Sequence, residues 1–441
     1  MRILHVADLH LDTPFRGLGE VNSLLAGQLR DATLDVLDRL VARALKEAGA
    51  GRLDAVTFGG DLFDSSLPSL RARRRLSDAL QTMCKAGITC ILVTGNHDPH
   101  DEADFWQKQV VLPEGAHLFS ASWDRLPLKR DGKTVGWVVG RSFSRDQDNA
   151  NPLEGFPPLP RVAEQVPIVG LLHCDVGGSR TEDTGYAPVP LSELIRTSCD
   201  AWLLGHIHQA PEKPLCEKPF IDYPGNPQGR DISETGIKGG FLVEVEAGRQ
   251  ATVEKVPLAS IIWLRQEFQV EKATGDVELA TAVRKELEDQ RAVMEGSQFR
   301  GLIARAVLKG RARTVTLWRR FSDPNLLHEI QQEAEAPDKK PFLVVERLEA
   351  EVRPPMPPRE QLLLRDDFIP DLLELLDQAR NNLRAAAGGA VEQALQPLDR
   401  ALGSAEADIR ADDPDLVNRV EQIILGHLWD EDEASPEEGS Q

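Results

Sequence analysis

"VADLHLDTPF", residues 6–15, is the stretch of sequence that decides the fold of this chain. The apolar run from Ile3 to Ala7 has the composition of a strand buried in a sheet, and Asp8 and His10 follow it at once. A spacing of two residues in extended chain places both side chains on one side of the backbone. One such pair alone is most often an incidental polar feature at a strand end, and metal ligation is the functional alternative.

Polar motifs of the same kind follow other apolar runs. They are GGDLFD (59–64), TGNHDPH (94–100), LLHCDV (171–176) and LLGHIHQ (203–209). Ligands of open α/β sheets gather beyond the carboxyl ends of the strands. We therefore expect one rim of the sheet to carry these polar side chains: Asp8, His10, Asp61, Asn96, His97, His173, His206 and His208.

Imidazole, carboxylate and amide groups in this pattern predict a centre for two divalent metal ions. Two ions held about 3.5–4 Å apart can clamp a phosphate and activate a water between them. Such a pair needs a bridging group, and the carboxylate of Asp61 is the candidate. The ligand set suits Mn²⁺, Fe²⁺ or Zn²⁺ better than Ca²⁺, and Mn²⁺ is the metal that we expect.

Residues 1–258 show alternating strand and helix patterns, which predict an α/β domain. The expected helices cover residues 29–48 and 70–86. The expected strands are Ile3–Ala7, Ala55–Gly59, Thr89–Thr94, Thr134–Gly140, Ile168–His173, Ala201–Gly205 and Gly240–Val245.

Residues 259–352 are predicted to form a smaller α+β domain. Its expected elements are strands at Trp263–Glu271, Gly301–Leu308 and Phe342–Glu346 and helices at Asp276–Val293 and Asn325–Glu335.

The remaining chain is predicted to comprise a linker, a helical region and a tail. Residues 353–365 contain RPPMPPRE and are typical of a stiff Pro-rich linker. Residues 366–429 contain two amphipathic helix patterns. Their apolar faces are Phe368, Ile369, Leu372, Leu373 and Leu376, and Leu416, Val417, Val420, Ile423, Ile424 and Leu428. Residues 430–441 are predicted to be an acidic disordered tail.

The formal net charge of −20 is unevenly distributed along the chain. Residues 1–260 hold 28 basic and 35 acidic residues, 261–365 hold 18 and 17, and 366–441 hold 5 and 19. The overall acidity disfavours unassisted binding to a polyanion, but the neutral middle segment does not. No apolar run approaches the ~18 residues that span a bilayer, so we expect no membrane contact. Five cysteines without paired zinc-type spacing predict free thiols and a cytoplasmic location.

The combined pattern DLH…GDLFD…GNHD…H…GHIH resembles that of the calcineurin-like metallophosphoesterases over residues 1–258. DLHLDTPF and YPGNPQGR (223–230) resemble its bacterial DNA-repair exonuclease branch, which contains SbcD and YhaO-like proteins. The resemblance implies a four-layer αββα sandwich with an α+β capping domain and C-terminal helices. It also implies a metal-dependent DNA phosphodiesterase, an exonuclease or endonuclease of DNA repair.

The resemblance also implies a role for individual residues. One metal ion would be held by Asp8, His10, Asp61 and His208, and the other by Asp61, Asn96, His173 and His206. His97 would act at the scissile phosphate, and Asp98 is a weaker candidate for orienting its imidazole. Archaeal and eukaryotic relatives carry a histidine where this chain has Asp64, which leaves the choice between exonuclease and endonuclease activity open.

Two further features each have two interpretations. Residues 299–320 contain seven basic residues and no acidic one. They form either a track for DNA phosphates or solvated faces of a strand and a helix. The candidate DNA-binding residues are Arg300, Arg305, Lys309, Arg311 and Arg313. The C-terminal helices either bind an SMC-like coiled-coil ATPase of the SbcC or YhaN type, as in relatives, or pack on the chain itself. A homodimer is expected from the resemblance alone.

Two rival functions stay open at this point. One is a metallophosphoesterase that acts on a phosphoester other than DNA. The other is a DNA-repair scaffold with a vestigial metal site.

Overall fold

The structure, a computed structural model, describes residues 1–13, 15, 23–65, 68–100, 103–145, 150–159, 166–177, 186–321, 323–355, 359–366 and 369–385. The chain divides into two compact units. Unit 1 consists of residues 1–265, 289–304 and 336–346, and unit 2 of residues 266–288, 305–335 and the described part of 347–441. The predicted domain boundaries at residues 258 and 352 stay predictions.

One layer of unit 1 is a six-stranded sheet with mainly parallel pairing. Its strands lie in the order β14 (Thr252–Pro257), β13 (Gly239–Glu244), β1 (Arg2–Val6), β2 (Ala55–Gly59), β3 (Thr89–Val93) and β4 (Ala116–Leu118). Strands β1 to β4 pair in parallel, and β13 is antiparallel to both of its neighbours. Leu4 and Val6 pack in one apolar cluster with residues of the helices α1 (Ser23–Gly49) and α2 (Leu70–Lys85).

A second six-stranded sheet forms the next layer. Its strands lie in the order β11 (Cys216–Glu217), β12 (Phe220–Asp222), β10 (Ala201–Gly205), β7 (Ile168–His173), β6 (Lys133–Gly140) and β5 (Asp124–Arg130). An apolar cluster joins the two sheets, with Ile3 and Ile91 from the first and Val169 and Leu203 from the second. The other side of the second sheet packs on residues that include Leu194 of α4 (Leu191–Arg196). The predicted αββα sandwich is thus confirmed.

Alternation along β1 explains this layering. Neighbouring residues of a strand point to opposite faces of its sheet, so Ile3 joins the cluster between the sheets and Leu4 joins the cluster under the helices. His5 follows Ile3 on the inner face, where its Nε2 lies 3.1 Å from the Leu204 carbonyl oxygen of the second sheet. The predicted strands of this domain agree with the observed strands to within one residue at each end.

The remaining elements among the described residues of 1–258 are short. They are α3 (Ala103–Lys108), β8 (Asp175–Val176) and β9 (Pro188–Val189).

Residues 259–353 contain a three-stranded sheet and three helices. The strands lie in the order β15 (Ile261–Gln269), β16 (Gly301–Arg311) and β17 (Phe342–Arg353), and the helices are α5 (Asp276–Val293), α6 (Val315–Phe321) and α7 (Pro324–Ala334). A 3-10 turn covers Val270–Lys272. Strands β16 and β17 continue beyond their predicted ends, and α6 was not predicted.

The predicted linker at residues 353–365 contains a short helix, α8 (Arg359–Leu362), and α9 (Ile369–Ala385) follows it. The predicted apolar face of α9 is present, and Ile369, Leu373 and Leu376 are buried by this chain itself. Phe368, the second predicted amphipathic helix and the acidic tail lie outside the described residues. Within the described ranges, no helix has both the length and the apolar character that a membrane span requires.

Candidate metal centre

The first predicted ligand set comes together where β1, β2 and β10 end. One ligand atom each from Asp8, His10, Asp61 and His208 lies within 4.8 Å of the others. The Nε2 atom of His10 lies 3.0 Å from Nε2 of His208 and 3.7 Å from Oδ2 of Asp61. These separations resemble those between neighbouring ligands of a single ion. The structure therefore brings the four residues of the first predicted set together, and their role as metal ligands stays a prediction.

The second predicted set adjoins the first through Asp61. The Oδ1 atom of Asn96 lies 2.9 Å from Nε2 of His173 and 3.2 Å from Nδ1 of His206. Nε2 of His173 is also 3.5 Å from Oδ2 of Asp61. The same Asp61 oxygen thus lies within 3.7 Å of both His10 and His173, where a bridging carboxylate is predicted.

Local backbone turns aim these side chains. Asp8, His10, Asp61 and His206 have φ angles of 54°, 42°, 48° and 112°, in the left-handed region that non-glycine residues rarely adopt. Such conformations cost about 1–3 kcal/mol each and persist mainly at functional sites. Asp8 and His10 therefore reach the rim through a turn, and the extended geometry expected from their spacing is not what brings them together.

The loop after β3 also requires a glycine. A Cβ atom on Gly95 would lie only 2.1 Å from Oδ1 of Asp61. Only a residue without a side chain allows the Asn96 loop to approach the Asp61 carboxylate this closely.

Contacts on the outer side orient three imidazoles of the cluster. Nδ1 of His173 lies 2.9 Å from the Gly59 carbonyl oxygen, which can only accept, so this nitrogen carries the proton. Nδ1 of His208 lies 2.7 Å from Oε1 of Glu234. Nδ1 of His10 lies 2.9 Å from Oδ1 of Asp64. The Gly59 carbonyl oxygen therefore leaves Nε2 of His173 without a proton, which is the form that binds a metal ion. A proton on Nδ1 of His208 and His10 would leave their Nε2 atoms in the same form.

The electrostatics of the cluster fit a cation. Asp8 and Asp61 are almost fully buried, and histidines supply their ion-pair contacts within the described part of the chain. Burial raises the pKa of Asp8 to about 6 and lowers the pKa of His10 to about 4. Burial likewise lowers the pKa of His206 to about 3. The contact with Glu234, by contrast, raises the pKa of His208 against the effect of its burial. Imidazoles around buried carboxylates form a donor set that a divalent cation would complete.

His97 differs from the ligand residues in exposure. Its side chain is 41% exposed, whereas that of His10 is fully buried. Its Nδ1 lies 3.2 Å from the carbonyl oxygen of Asp64, and its backbone N–H donates to Oδ1 of Asp61 at 2.9 Å. His97 is thus fixed to the cluster through its backbone while its ring faces the open side.

The Asp98 carboxylate contacts backbone amides, whereas the prediction placed it beside the His97 imidazole. Its Oδ2 accepts the N–H groups of Leu62 and Phe63 at 2.8 and 3.2 Å, and its Oδ1 accepts that of Gly95 at 2.8 Å. Among the described residues, the side chain that lies next to the His97 ring nitrogen is Asp64 rather than Asp98. Asp98 therefore ties together the two loops that carry Asp61 and Asn96.

The candidate DNA-binding cations have partners within the chain. Arg300 pairs with Asp35, Arg305 with Glu349, and Lys309 with Glu267 and Glu351. A guanidinium nitrogen of Arg311 donates to the carbonyl oxygen of Pro354, and one of Arg313 donates to that of Glu271. Three of the five candidate cations are therefore paired with acidic residues elsewhere in the sequence, and the other two donate to neutral carbonyl oxygens.

Sequence reasoning missed two residues beside the cluster, Arg230 and Glu234. Arg230 lies at the end of the YPGNPQGR segment, and Glu234 follows four residues later. Their only signal in the sequence is that segment, because no pattern of spacing connects a loop carboxylate with a histidine 26 residues earlier.

Comparisons with known proteins agree with this geometry. A family model described as calcineurin-like phosphoesterase matches residues 1–210. The uncharacterized metallophosphoesterase YhaO of Bacillus subtilis is 30% identical over 294 residues, which cover 66% of this chain and 67% of YhaO. The SbcD component of nuclease SbcCD from the same organism is 25% identical over 59% of this chain and 70% of that protein. DNA double-strand break repair protein Mre11 of Aeropyrum pernix is 26% identical over 62% of this chain and 64% of that protein.

Proposed function

The chain belongs to the calcineurin-like phosphoesterase family, and we propose that it hydrolyses phosphodiester bonds of DNA in DNA repair. The observation that carries the proposal is the buried cluster at the strand ends. Asp8, His10, Asp61 and His208 would hold one divalent ion, and Asp61, Asn96, His173 and His206 the other. Bound ions, Mn²⁺ in our proposal, would supply charge stabilisation for the phosphoryl oxygens and lower the pKa of the attacking water.

His97 is the proposed catalytic residue. Its ring is the exposed imidazole of the cluster, and the Asp64 carbonyl oxygen at 3.2 Å fixes the proton on Nδ1. Nε2 is then left to hydrogen-bond the phosphate or, when protonated, to donate a proton to the leaving oxygen. Asp98 contributes by holding the His97 loop through the Gly95 amide.

DNA is the proposed substrate because two of the relatives are named as part of a nuclease and as a DNA double-strand break repair protein. We also propose that phosphates compete with Glu267, Glu349 and Glu351 for the cations of residues 300–313. Removal of one phosphate-contacting cation such as Arg305 lowers the slope of log affinity against log salt by about 1. If the segment is purely structural, the substitution would leave this slope unchanged.

The proposed setting follows the same relatives. We propose an SMC-like coiled-coil ATPase of the SbcC or YhaN type as the partner, a homodimer and a cytoplasmic location. The apolar face of α9 is buried by this chain, so the second predicted C-terminal helix is the proposed contact for the ATPase.

A second candidate function is hydrolysis of a phosphoester other than DNA. The ion pairs of Arg305 and Lys309 favour it, because they reduce the positive field that a DNA track requires. The third interpretation, a scaffold with a vestigial site, is disfavoured because every predicted ligand residue is present.

One experiment separates these functions. Purified protein is incubated with end-labelled single- and double-stranded linear DNA and with bis(p-nitrophenyl) phosphate, in Mn²⁺ or in EDTA. We expect Mn²⁺-dependent cutting of DNA that falls about 100-fold or more in His97→Ala. His328→Ala is the matched control, because this exposed histidine lies on α7 and bonds Gln332. Cleavage of the small diester alone would support the second candidate, and cleavage of neither substrate would support the scaffold.

A further inference from the structure

The outer side of His208 is held by a buried carboxylate. Oε1 of Glu234 accepts from Nδ1 of His208 at 2.7 Å, and the Glu234 side chain is 6% exposed. The other oxygen, Oε2, accepts from Nδ2 of Asn226 at 2.7 Å and from the backbone N–H of Arg230 at 2.8 Å. Glu234 is therefore fixed by its own loop before it contacts the imidazole.

The backbone of His208 is held by the same segment. Its carbonyl oxygen accepts from the N–H of Asn226 at 3.0 Å and from Nζ of Lys238 at 2.9 Å. Side chain and main chain of this one histidine are thus both anchored to residues 226–238.

Arg230 connects this arrangement to a second imidazole. Its Nη2 donates to Oε1 of Glu234 at 3.1 Å, and its Nη1 lies 3.3 Å from Oδ1 of Asp64. The same Asp64 oxygen lies 2.9 Å from Nδ1 of His10. A carboxylate–guanidinium–carboxylate chain therefore runs behind His10 and His208, whose Nε2 atoms are 3.0 Å apart.

We propose that Glu234 and Arg230 are positioning residues that preorganise one of the two metal subsites, the one that contains His10 and His208. The inference rests on the metal centre of the proposed function. A carboxylate behind a ligand histidine fixes its tautomer and orientation and raises its basicity, and losing it typically costs about 10- to 100-fold in metal affinity.

The other subsite is oriented differently. The outer partner of His173 is the backbone carbonyl oxygen of Gly59, and Asn96 lies against both His173 and His206. None of these contacts involves Glu234 or Arg230. Loss of the interactions of Glu234 and Arg230 must therefore weaken the binding of one ion selectively. A merely structural role would not produce this selectivity.

The test is a titration of the full chain with Mn²⁺. Binding is measured by calorimetry and by the electron paramagnetic resonance signal of free Mn²⁺. Wild type, Glu234→Gln, Glu234→Ala and Arg230→Gln are compared. Glu246→Gln is the matched control, because Glu246 forms an exposed ion pair with Arg249 away from the cluster. We expect two ions in wild type, with one weakened about 10- to 100-fold by Glu234→Ala and less by Glu234→Gln, and the other changed less than about twofold.

The outcomes are distinguishable. Two ions in wild type and unchanged affinities in all the Glu234 and Arg230 variants would overturn this inference and leave the proposed function standing. Equal weakening of both ions would also overturn it, because the effect would then be global. No Mn²⁺ binding by wild type would overturn the proposed function itself. If Glu234→Ala does not fold, Glu234→Gln and Arg230→Gln decide by the same criteria.

Discussion

Substitution of Asp98 by alanine tests how the loops of the metal centre are held together. The buried carboxylate accepts three backbone N–H groups, those of Leu62, Phe63 and Gly95. An unsatisfied buried donor costs about 1–3 kcal/mol. Three such donors give a loss of about 3 kcal/mol in the free energy of opening these loops, even at the lower limit. At about 1.4 kcal/mol for each factor of ten, this corresponds to a roughly 100-fold larger population of the open loops.

Amide hydrogen exchange measures this opening at the affected residues. Peptides that cover residues 59–66 and 94–99 are compared between wild type and Asp98→Ala, together with Mn²⁺ affinity. We expect faster exchange in both peptides and weaker Mn²⁺ binding, because the loops carry Asp61 and Asn96. Burial and the charge of Asp61 raise the pKa of Asp98, and the three amides oppose that rise.

Asp200 provides a matched control. Its carboxylate accepts two backbone N–H groups, of Ile168 at 2.9 Å and of Gly248 at 2.7 Å. It lies before β10, at the opposite end of that strand from His206. Asp200→Ala should accelerate local exchange without changing Mn²⁺ affinity. The reasoning is refuted if Asp98→Ala leaves exchange unchanged and alters only the pH profile of hydrolysis, as a role in orienting His97 predicts.

Gly95→Ala places a Cβ 2.1 Å from Oδ1 of Asp61. We expect it to weaken Mn²⁺ binding, measured by calorimetry, about tenfold or more. Gly27→Ala is the control, because Gly27 has open space around it, and it should leave Mn²⁺ binding unchanged. Burial lowers the pKa of His5 to about 4 from 6.5, so the unfolded chain takes up this proton first as the pH falls. The free energy of unfolding therefore has its full value above pH 6.5, where His5 is neutral in both states, and decreases as the pH falls toward 4. Relative to His5→Gln, wild type should lose about 3 kcal/mol over that window in urea unfolding; parallel pH curves would contradict this.

Much of the candidate metal site could be predicted because strand ends carry a local signal. A buried strand needs an apolar run, and a polar residue directly after the run lies at the sheet edge. This argument predicted Asp61 just after β2 and His173 at the end of β7, and the structure places both residues there. It did not reveal the turn at Asp8 and His10, since a left-handed φ at a non-glycine residue leaves no mark on composition.

The network behind the ligands could not be predicted from the sequence. Glu234 reaches His208 only because the loop from Asn226 to Lys238 folds back onto it, and such folding depends on contacts distant in sequence. Gln228 illustrates this: its Oε1 accepts from the backbone N–H groups of Ser260 and Ile261 at the start of β15.

The basic segment shows a limit of counting charges along a chain. Lys309 of β16 meets Glu267 of β15 and Glu351 of β17, because side chains on one face of neighbouring strands lie opposite each other. A sequence window over residues 299–320 contains none of these acidic partners. The structure therefore reduces the field of this segment below what its composition indicates.

The most direct test of the account is a crystal of the protein soaked in Mn²⁺, with an anomalous difference map recorded at the manganese absorption edge. The account predicts two peaks about 3.5–4 Å apart, both within coordination distance of the Asp61 carboxylate, with His10 and His208 at one peak and His173 and His206 at the other. No peak at Asp61, or a single peak that leaves Asn96 and His173 without an ion, would contradict a two-metal centre.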